Sequence, residues 1–171
     1  MEKLKGLVRD IPDFPKKGII FKDITPLLKD SEALKDIVEM FTERYKDKKI
    51  DLVASVEARG FLLGSIIAYK IGAGMIPVRK KGKLPYEVVS ITYDLEYGTD
   101  TLEMHKDAVS KGDRVLVIDD LLATGGTAGA TCDMVKASGG EIVEVACLIE
   151  LEFLKGREKL KDYPVFSLLK F

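Results

Sequence analysis

The sequence predicts an α/β protein built on an open, mostly parallel twisted sheet flanked by helices. Three observations predict it. Ile50–Val56, Val115–Ile118 and Ile142–Ile149 are short apolar runs without polar alternation, as strands buried on both faces require. Segments with helical spacing lie between them, the arrangement that builds parallel sheets. Gly139-Gly140 then marks a helix stop immediately before the third run.

The elements follow in order. The first thirty residues are broken by Pro and Gly and read as a cap. Leu34, Ile37, Val38, Phe41 and Tyr45 recur on one helical face, predicting a helix over 31–47 with Asp30 or Ser31 as its N-cap. After the strand at 50–56, an almost wholly apolar helix is expected from Phe61 to about Ile71, then a strand over Met75–Arg79. Residues 83–105 carry Val88, Val89, Ile91, Tyr93 and Leu95, then Gly98, then Thr101, Leu102 and Met104. That pattern predicts an antiparallel flexible flap rather than a core strand. The strand at 115–118 leads into a helix over Thr127–Ser138, and the strand at 142–149 follows. In such sheets ligands bind beyond the carboxyl ends of the strands, so the residues just after each strand are the candidates.

Length and charge narrow the function. The 171 residues suit one domain, 1–171, with a hydrophobic share of 46% that needs no disulfide or metal to fold. The 27 basic and 28 acidic residues nearly cancel, so no global field attracts nucleic acid. No apolar run approaches the ~20 residues of a membrane span. The opening Met1-Glu-Lys-Leu-Lys5 lacks the apolar stretch of a signal peptide. Cys132 and Cys147 have no metal-binding spacing and read as reduced core thiols. Together these predict a cytoplasmic protein.

The strongest chemical signal is Val115-Leu-Val-Ile-Asp-Asp-Leu-Leu-Ala-Thr-Gly-Gly-Thr127. A buried strand ends in the paired acids Asp119 and Asp120, and a small, Gly-rich turn opens a helix. Backbone N–H groups from Ala123 to Thr127, at a helix N-terminus, suit a phosphate. Gly125 and Gly126 allow close backbone approach, and Thr124 and Thr127 add hydroxyl donors. The two carboxylates accept hydrogen bonds from a sugar diol. Phosphate at the turn and diol at the acids describes a ribose 5-phosphate. His105 is the sole histidine and has no nucleophile motif beside it.

This string resembles the phosphoribosyl-pyrophosphate (PRPP) signature of type I phosphoribosyltransferases. Further segments are similar to the adenine branch of that family: Phe14-Pro-Lys-Lys-Gly-Ile-Ile-Phe-Lys-Asp-Ile-Thr-Pro-Leu27, Glu57-Ala-Arg-Gly60, Arg79-Lys-Lys-Gly-Lys-Leu-Pro85, Asp94-Leu-Glu-Tyr-Gly98 and Leu154-Lys-Gly-Arg-Glu-Lys-Leu160. The resemblance is collinear and covers essentially the whole chain. It implies the type I phosphoribosyltransferase fold, with a hood over about 1–30 and a flap over about 83–105.

The resemblance also implies an activity: adenine and PRPP yield AMP and pyrophosphate, in purine salvage. Asp119 and Asp120 would hold the ribose hydroxyls, and Ala123, Thr124, Gly125, Gly126 and Thr127 the 5-phosphate. Glu57, Ala58 and Arg59 would form a pyrophosphate loop, with a cis peptide between the first two. Read from the residues alone, Arg59 follows a buried strand at the ligand edge, where a guanidinium grips phosphate oxygens. Arg79, Lys80, Lys83 and Tyr97 would also serve pyrophosphate, and some of that basic cluster would reach a neighbouring subunit of a homodimer. Glu96 would handle the purine proton, with Arg59 assisting the leaving group. Phe21 would stack on adenine while the main chain at Ile20 and Lys22 reads its edge; Lys22 stands where the family commonly has Arg. Mg2+ would arrive bound to PRPP rather than in a protein cage. The rivals are a xanthine or hypoxanthine/guanine phosphoribosyltransferase, which would differ in hood and flap, and a non-catalytic PRPP-sensing regulator.

Overall fold

The computed structural model describes residues 1–94 and 98–171. They form two compact units, Met1–Glu43 and Arg44–Phe171.

The N-terminal unit has regular elements where the sequence suggested only a cap. A short helix α1 (Glu2–Gly6) precedes an antiparallel pair, β1 (Arg9–Pro12) and β2 (Ile20–Asp23), with Pro12 opposite Ile20 and Ile11 opposite Phe21. The connection holds a cis Phe14–Pro15 bond, and the Asp13 carboxylate accepts the Gly18 N–H at 2.7 Å. Such side-chain turns are invisible to periodicity, because the strands are only four residues long. Asp23 accepts the Thr25 N–H at 2.9 Å and so starts α2 (Thr25–Lys29), with Pro26 in its first turn. Asp30 caps α3 (Ser31–Tyr45) through the Ala33 N–H at 3.0 Å. Ile37, Val38, Phe41 and Tyr45 are buried, as the helical spacing predicts.

The second unit carries a seven-stranded sheet in the order β5-β6-β4-β3-β7-β8-β9. Its strands are β3 (Leu52–Val56), β4 (Gly74–Lys80), β5 (Val88–Asp94), β6 (Thr99–His105), β7 (Arg114–Leu122), β8 (Glu141–Glu150) and β9 (Val165–Lys170). The five from β4 to β9 in that order are parallel, and β6 and β5 continue the sheet antiparallel at one edge. Helix α4 (Arg59–Ile71) links β3 to β4, and α5 (Gly126–Ala137) links β7 to β8. Val115, Leu116, Val117 and Ile118 are all at most 1% exposed, the burial their unbroken apolar run requires. Each such side chain contributes about 1.5–3 kcal/mol when removed from water.

Three departures from the expected boundaries have physical reasons. β7 extends to Leu122, four residues past Ile118, because β8 pairs along it as far as Leu122 opposite Glu150. β6 is no mere excursion: Leu102 and Met104 are buried in the core, and Arg79 and Lys80 pair with Glu103 and Leu102. β9 is an apolar run, Val165-Phe-Ser-Leu-Leu-Lys170, that the sequence reading leaves unassigned; it pairs in parallel with β8 at the sheet edge.

Buried charge ties the second unit together. Glu144 on β8 accepts both Arg44 nitrogens Nε and Nη2 at 2.7 Å and the Tyr45 hydroxyl at 2.7 Å. The Arg44 guanidinium also lies 4.1 Å from the Phe166 ring centre. Burial works to raise the Glu144 pKa, but the bonds from Arg44 and Tyr45 outweigh it and hold the carboxyl below its ordinary value of 4.5. Glu150 is held low by its bonds to Arg157, partly opposed by burial. Burial pushes the Cys132 thiol up to about 12, so it stays protonated and unreactive.

These depressed carboxyls predict acid lability. Their contribution is complete above the unfolded-state pKa and is lost as pH falls through the lower folded values. Urea unfolding should therefore show stability declining below about pH 4.5 on this account. Glu144→Gln should be less stable at neutral pH yet lose less stability on acidification. An equally steep acid decline in that variant would remove Glu144 from the account.

Candidate active site

Sheet topology places the site. From β3 the chain crosses to β4 on one side; from β7 it crosses to β8 on the other. The carboxyl ends of these two adjacent parallel strands therefore meet at a switch point, where open α/β sheets bind their ligands. Glu57, Ala58 and Arg59 follow β3, and the turn of residues 123–125 follows β7. The Glu57–Ala58 peptide is cis.

Between them lies a cavity of about 350 Å³ lined by Glu57, Ala58, Arg59, Lys80, Asp119 and Asp120, among others. A second hollow of about 160 Å³ adjoins it, walled by Ala123, Thr124, Gly125, Gly126 and Thr127. Asp119 and Thr127 line both. The segments singled out in the sequence after β3 and β7 thus meet at one place.

The acid pair is held in an unequal electrostatic setting. Asp119 Oδ1 accepts the Asp120 N–H at 2.8 Å. Arg59 Nε lies 2.9 Å from Asp120 Oδ2 but off the hydrogen-bond direction, leaving an ion pair whose carboxylate oxygen is not capped by a donor. Burial, and next the charge of Asp120, hold the Asp119 carboxyl well above the usual carboxylate range, against the opposing pull of Arg59. Burial also raises Asp120, and Arg59 offsets part of that. Gly60 permits the closeness: a methyl there would stand 2.9 Å from Asp119 Oδ1.

At the turn, Gly125 has a φ of +80°, which favours glycine, and it caps α5 without a side-chain hydrogen bond. At Gly126 a methyl would meet the Tyr93 ring at 3.1 Å. The Tyr93 hydroxyl in turn lies 3.1 Å from that of Thr127, so β5 of the flap is tied to the turn. Tyr93 was missed as a site residue. Its only sequence signal is its place beside the Asp94-Leu-Glu-Tyr-Gly98 segment, and cross-sheet contact alone reveals its position.

The basic cluster is largely paired within the chain. Arg79 Nε reaches Glu57 at 2.6 Å, and its Nη1 donates to the Lys83 carbonyl at 3.2 Å. Lys80 pairs with Asp100 at 3.2 Å, and both line the larger cavity. The Lys83 side chain is exposed. Ile20, Phe21 and Lys22 form β2 of the N-terminal unit, where the Phe21 ring meets Phe14 edge-on at 5.2 Å. Glu96 and Tyr97 lie outside the described residues. His105 packs against Tyr86, with ring centres 6.0 Å apart.

The phosphoribosyl transferase domain family matches residues 24–170 of this chain. An adenine phosphoribosyltransferase of Geotalea daltonii is 62% identical over 171 residues, spanning 100% of both chains. The chain belongs to the adenine phosphoribosyltransferase family. Solved members agree in fold. The adenine phosphoribosyltransferase of Thermoanaerobacter pseudethanolicus superposes with a TM-score of 0.97 at 55% identity, covering 99% of each chain. That of Saccharomyces cerevisiae, complexed with an imino-altritol bisphosphate and adenine, gives 0.92 at 39% identity over 98% of this chain and 97% of its own. The mostly parallel sheet and antiparallel edge described above are thus the type I phosphoribosyltransferase fold.

The unequal acid pair can be read directly. In carboxyl-detected NMR titrations of the ligand-free protein, Asp119 should titrate well above an ordinary aspartate. Asp120→Asn removes a neighbouring charge and should lower that pKa without normalising it, because burial remains. An unmoved Asp119 titration would show that Asp120 carries no charge there.

Proposed function

We propose that this chain transfers the 5-phosphoribosyl group of PRPP to adenine, forming AMP and pyrophosphate in purine salvage. One observation carries the reading: the acid pair near the end of β7 lines one cavity with Glu57, Ala58 and Arg59 after β3, and the glycine turn walls an adjoining hollow that shares Asp119 and Thr127 with it. A phosphorylated ribose would bridge the two. Its phosphate would sit among the N–H groups of residues 123–127 and its hydroxyls would donate to Asp119 and Asp120.

In the reaction a purine ring nitrogen forms the bond to the anomeric carbon as the carbon–oxygen bond to pyrophosphate breaks. Charge develops on the departing oxygens. Arg59 would turn from Asp120 to the leaving pyrophosphate, and Arg79, Lys80 and Lys83 would add positive charge at that end, with Tyr97 as a flap contact. Glu96 would take the proton the purine nitrogen gives up. The flap would exclude water, which would otherwise capture the cation-like carbon.

Among the described residues, no three His, Cys, Asp or Glu side chains gather as a metal cage. Asp119 and Asp120 do present hard oxygen donors to the cavity, with one Asp120 oxygen uncapped by a donor. That donor set suits Mg2+ that enters on PRPP and keeps several waters. The ion would neutralise charge on the leaving pyrophosphate.

For the base, the reading uses the main chain of Ile20 and Lys22 and the ring of Phe21. The Lys22 ammonium is engaged by Asp10 at 2.6 Å, which leaves the backbone of that residue as the edge reader. Fixed backbone donors and acceptors cannot serve both an amino and an oxo purine, so the wrong base would leave a polar group unpaired at about 1–3 kcal/mol. For assembly, Leu62, Ile66 and Tyr69 form an apolar stripe on α4 that is 50%, 37% and 84% exposed. A second copy would cover it in a homodimer. The free, buried Cys132 and Cys147 suit a reducing cytoplasm.

Purified protein with PRPP, Mg2+ and each common purine base tests the activity. AMP should form from adenine, with hypoxanthine, guanine and xanthine far behind; turnover of another base in preference, or none, would overturn the reading. In the same panel Phe21→Ala should raise the adenine KM strongly with PRPP affinity nearly unchanged. Glu96→Gln should slow the single-turnover rate by about 100- to 10,000-fold. Sedimentation tests assembly: wild type should be dimeric and Leu62→Asp with Tyr69→Asp more dissociated, whereas a fully active monomer would refute the homodimer.

A further inference from the structure

We propose that Gly156 and Arg157 are positioning residues for the phosphate turn, forming a backbone rest clamped in place from behind. The proposal builds on the reading of residues 123–127 as the phosphate site.

At Gly125 the turn leans on main chain. A methyl on Gly125 would overlap the Gly156 carbonyl oxygen, and one on Gly156 would overlap the Ala123 carbonyl oxygen. The Gly156 methyl would also stand 3.1 Å from the Gly125 nitrogen and from Leu122 Cδ1. Each glycine thus faces the other's backbone, with no room for a side chain. Gly156, unlike Gly125, is not among the residues with positive φ, so contact and not conformation demands a glycine there.

What holds Gly156 is its neighbour. Gly156 opens a short 3-10 segment, Gly156–Leu160, directly after Lys155 at φ +52°. Arg157 grips Glu150 with Nε at 2.6 Å and Nη2 at 2.7 Å, a two-pronged match of guanidinium and carboxylate. Its Nη1 donates to the Val165 carbonyl at 2.8 Å and its Nη2 to the Ser167 hydroxyl at 3.1 Å. Ser167 closes the ring by donating to Glu150. Glu150 lies opposite Leu122 in the β7–β8 register, and the Leu151 N–H donates to the Leu122 carbonyl at 3.0 Å. The clamp is therefore anchored where the turn begins. A route of direct contacts runs from β9 through Arg157 and Gly156 to the backbone of Ala123 and Gly125.

A turn that binds phosphate through its N–H groups needs those groups aimed to within a fraction of an ångström. An error of about 1 Å in such positioning can cost 100-fold in rate. Moving the rest should therefore move the phosphate donors.

The test uses the full-length protein and ribose 5-phosphate as the probe. In wild type, amide shifts of residues 123–127 on titration with ribose 5-phosphate check the underlying reading; if they stay still, that reading fails and the clamp is not at issue. If they move, Gly156→Ala should weaken ribose 5-phosphate by about tenfold or more and raise the PRPP KM, with the adenine KM within about twofold. Arg157→Lys keeps the charge but loses the fork, and should fall between wild type and Arg157→Met. These smaller changes keep the question open to test should Gly156→Ala fail to fold. A clamp that only staples the fold would lower the Tm of these variants yet leave ribose 5-phosphate affinity of the folded protein unchanged. That outcome would overturn the proposal.

Discussion

The parallel pairing of β3 with β7, Leu52–Ser55 against Val115–Ile118, is the constraint on which the rest of the site depends. It brings together two strand ends that lie more than sixty residues apart in the chain. It does so at the one place where the connections leave in opposite directions. The apolar residues facing the core along both strands are buried, and the one polar side chain among them, Ser55, has a buried hydroxyl with no hydrogen-bond partner among the described residues. Toward their carboxyl ends the composition changes at once, to Glu57 and Arg59 on one side and Asp119 and Asp120 on the other. The chemistry sits where the sheet stops excluding water.

Charge in that opening is arranged as pairs within the chain. Arg59 meets Asp120, Arg79 meets Glu57, and Lys80 meets Asp100. Burying any one of these ions alone would cost several kcal/mol, whereas a paired ion is tolerable in a half-buried cavity. In the proposed reaction an anionic substrate meets Arg59, Arg79 and Lys80 already paired. It exchanges with carboxylates already in place, so its affinity reflects a difference between partners and not a full Coulombic gain. The raised Asp119 belongs to the same balance, because its neighbour's charge and its own burial both oppose ionisation.

The division of labour across the second unit follows from rigidity. The parallel strands and their two helices carry Arg59, Asp119, Asp120 and the turn of residues 123–127, and the antiparallel β5 and β6 extend the same sheet at one edge. Tyr93 links that extension to Thr127 in the turn. The membership of the adenine phosphoribosyltransferase family rests on collinear similarity along the whole chain, so hood, turn and flap segments are inherited together.

Much was legible in the residues alone. Apolar runs without alternation determined the buried strands, because a strand covered on both faces leaves no side for a polar residue. Helical spacing determined α3, with Asp30 or Ser31 offered as its start; the structure chose Asp30. Asp119, Asp120 and the glycines of the turn stood out because that combination has little structural purpose apart from a ligand. The four-residue strands β1 and β2 escaped notice, since their connection is held by the Asp13 carboxylate rather than by a hydrophobic period. The length of β7 escaped because pairing with β8 determines it. Tyr93, Asp100 and Gly156 escaped for the same reason on a larger scale. Composition and periodicity are local properties of the chain, and they determined the elements and singled out the candidate site residues. Which group faces which is a property of strands packed side by side, so only the tertiary structure could pair Arg59 with Asp120, tie Tyr93 to Thr127 and set Gly156 beneath Gly125.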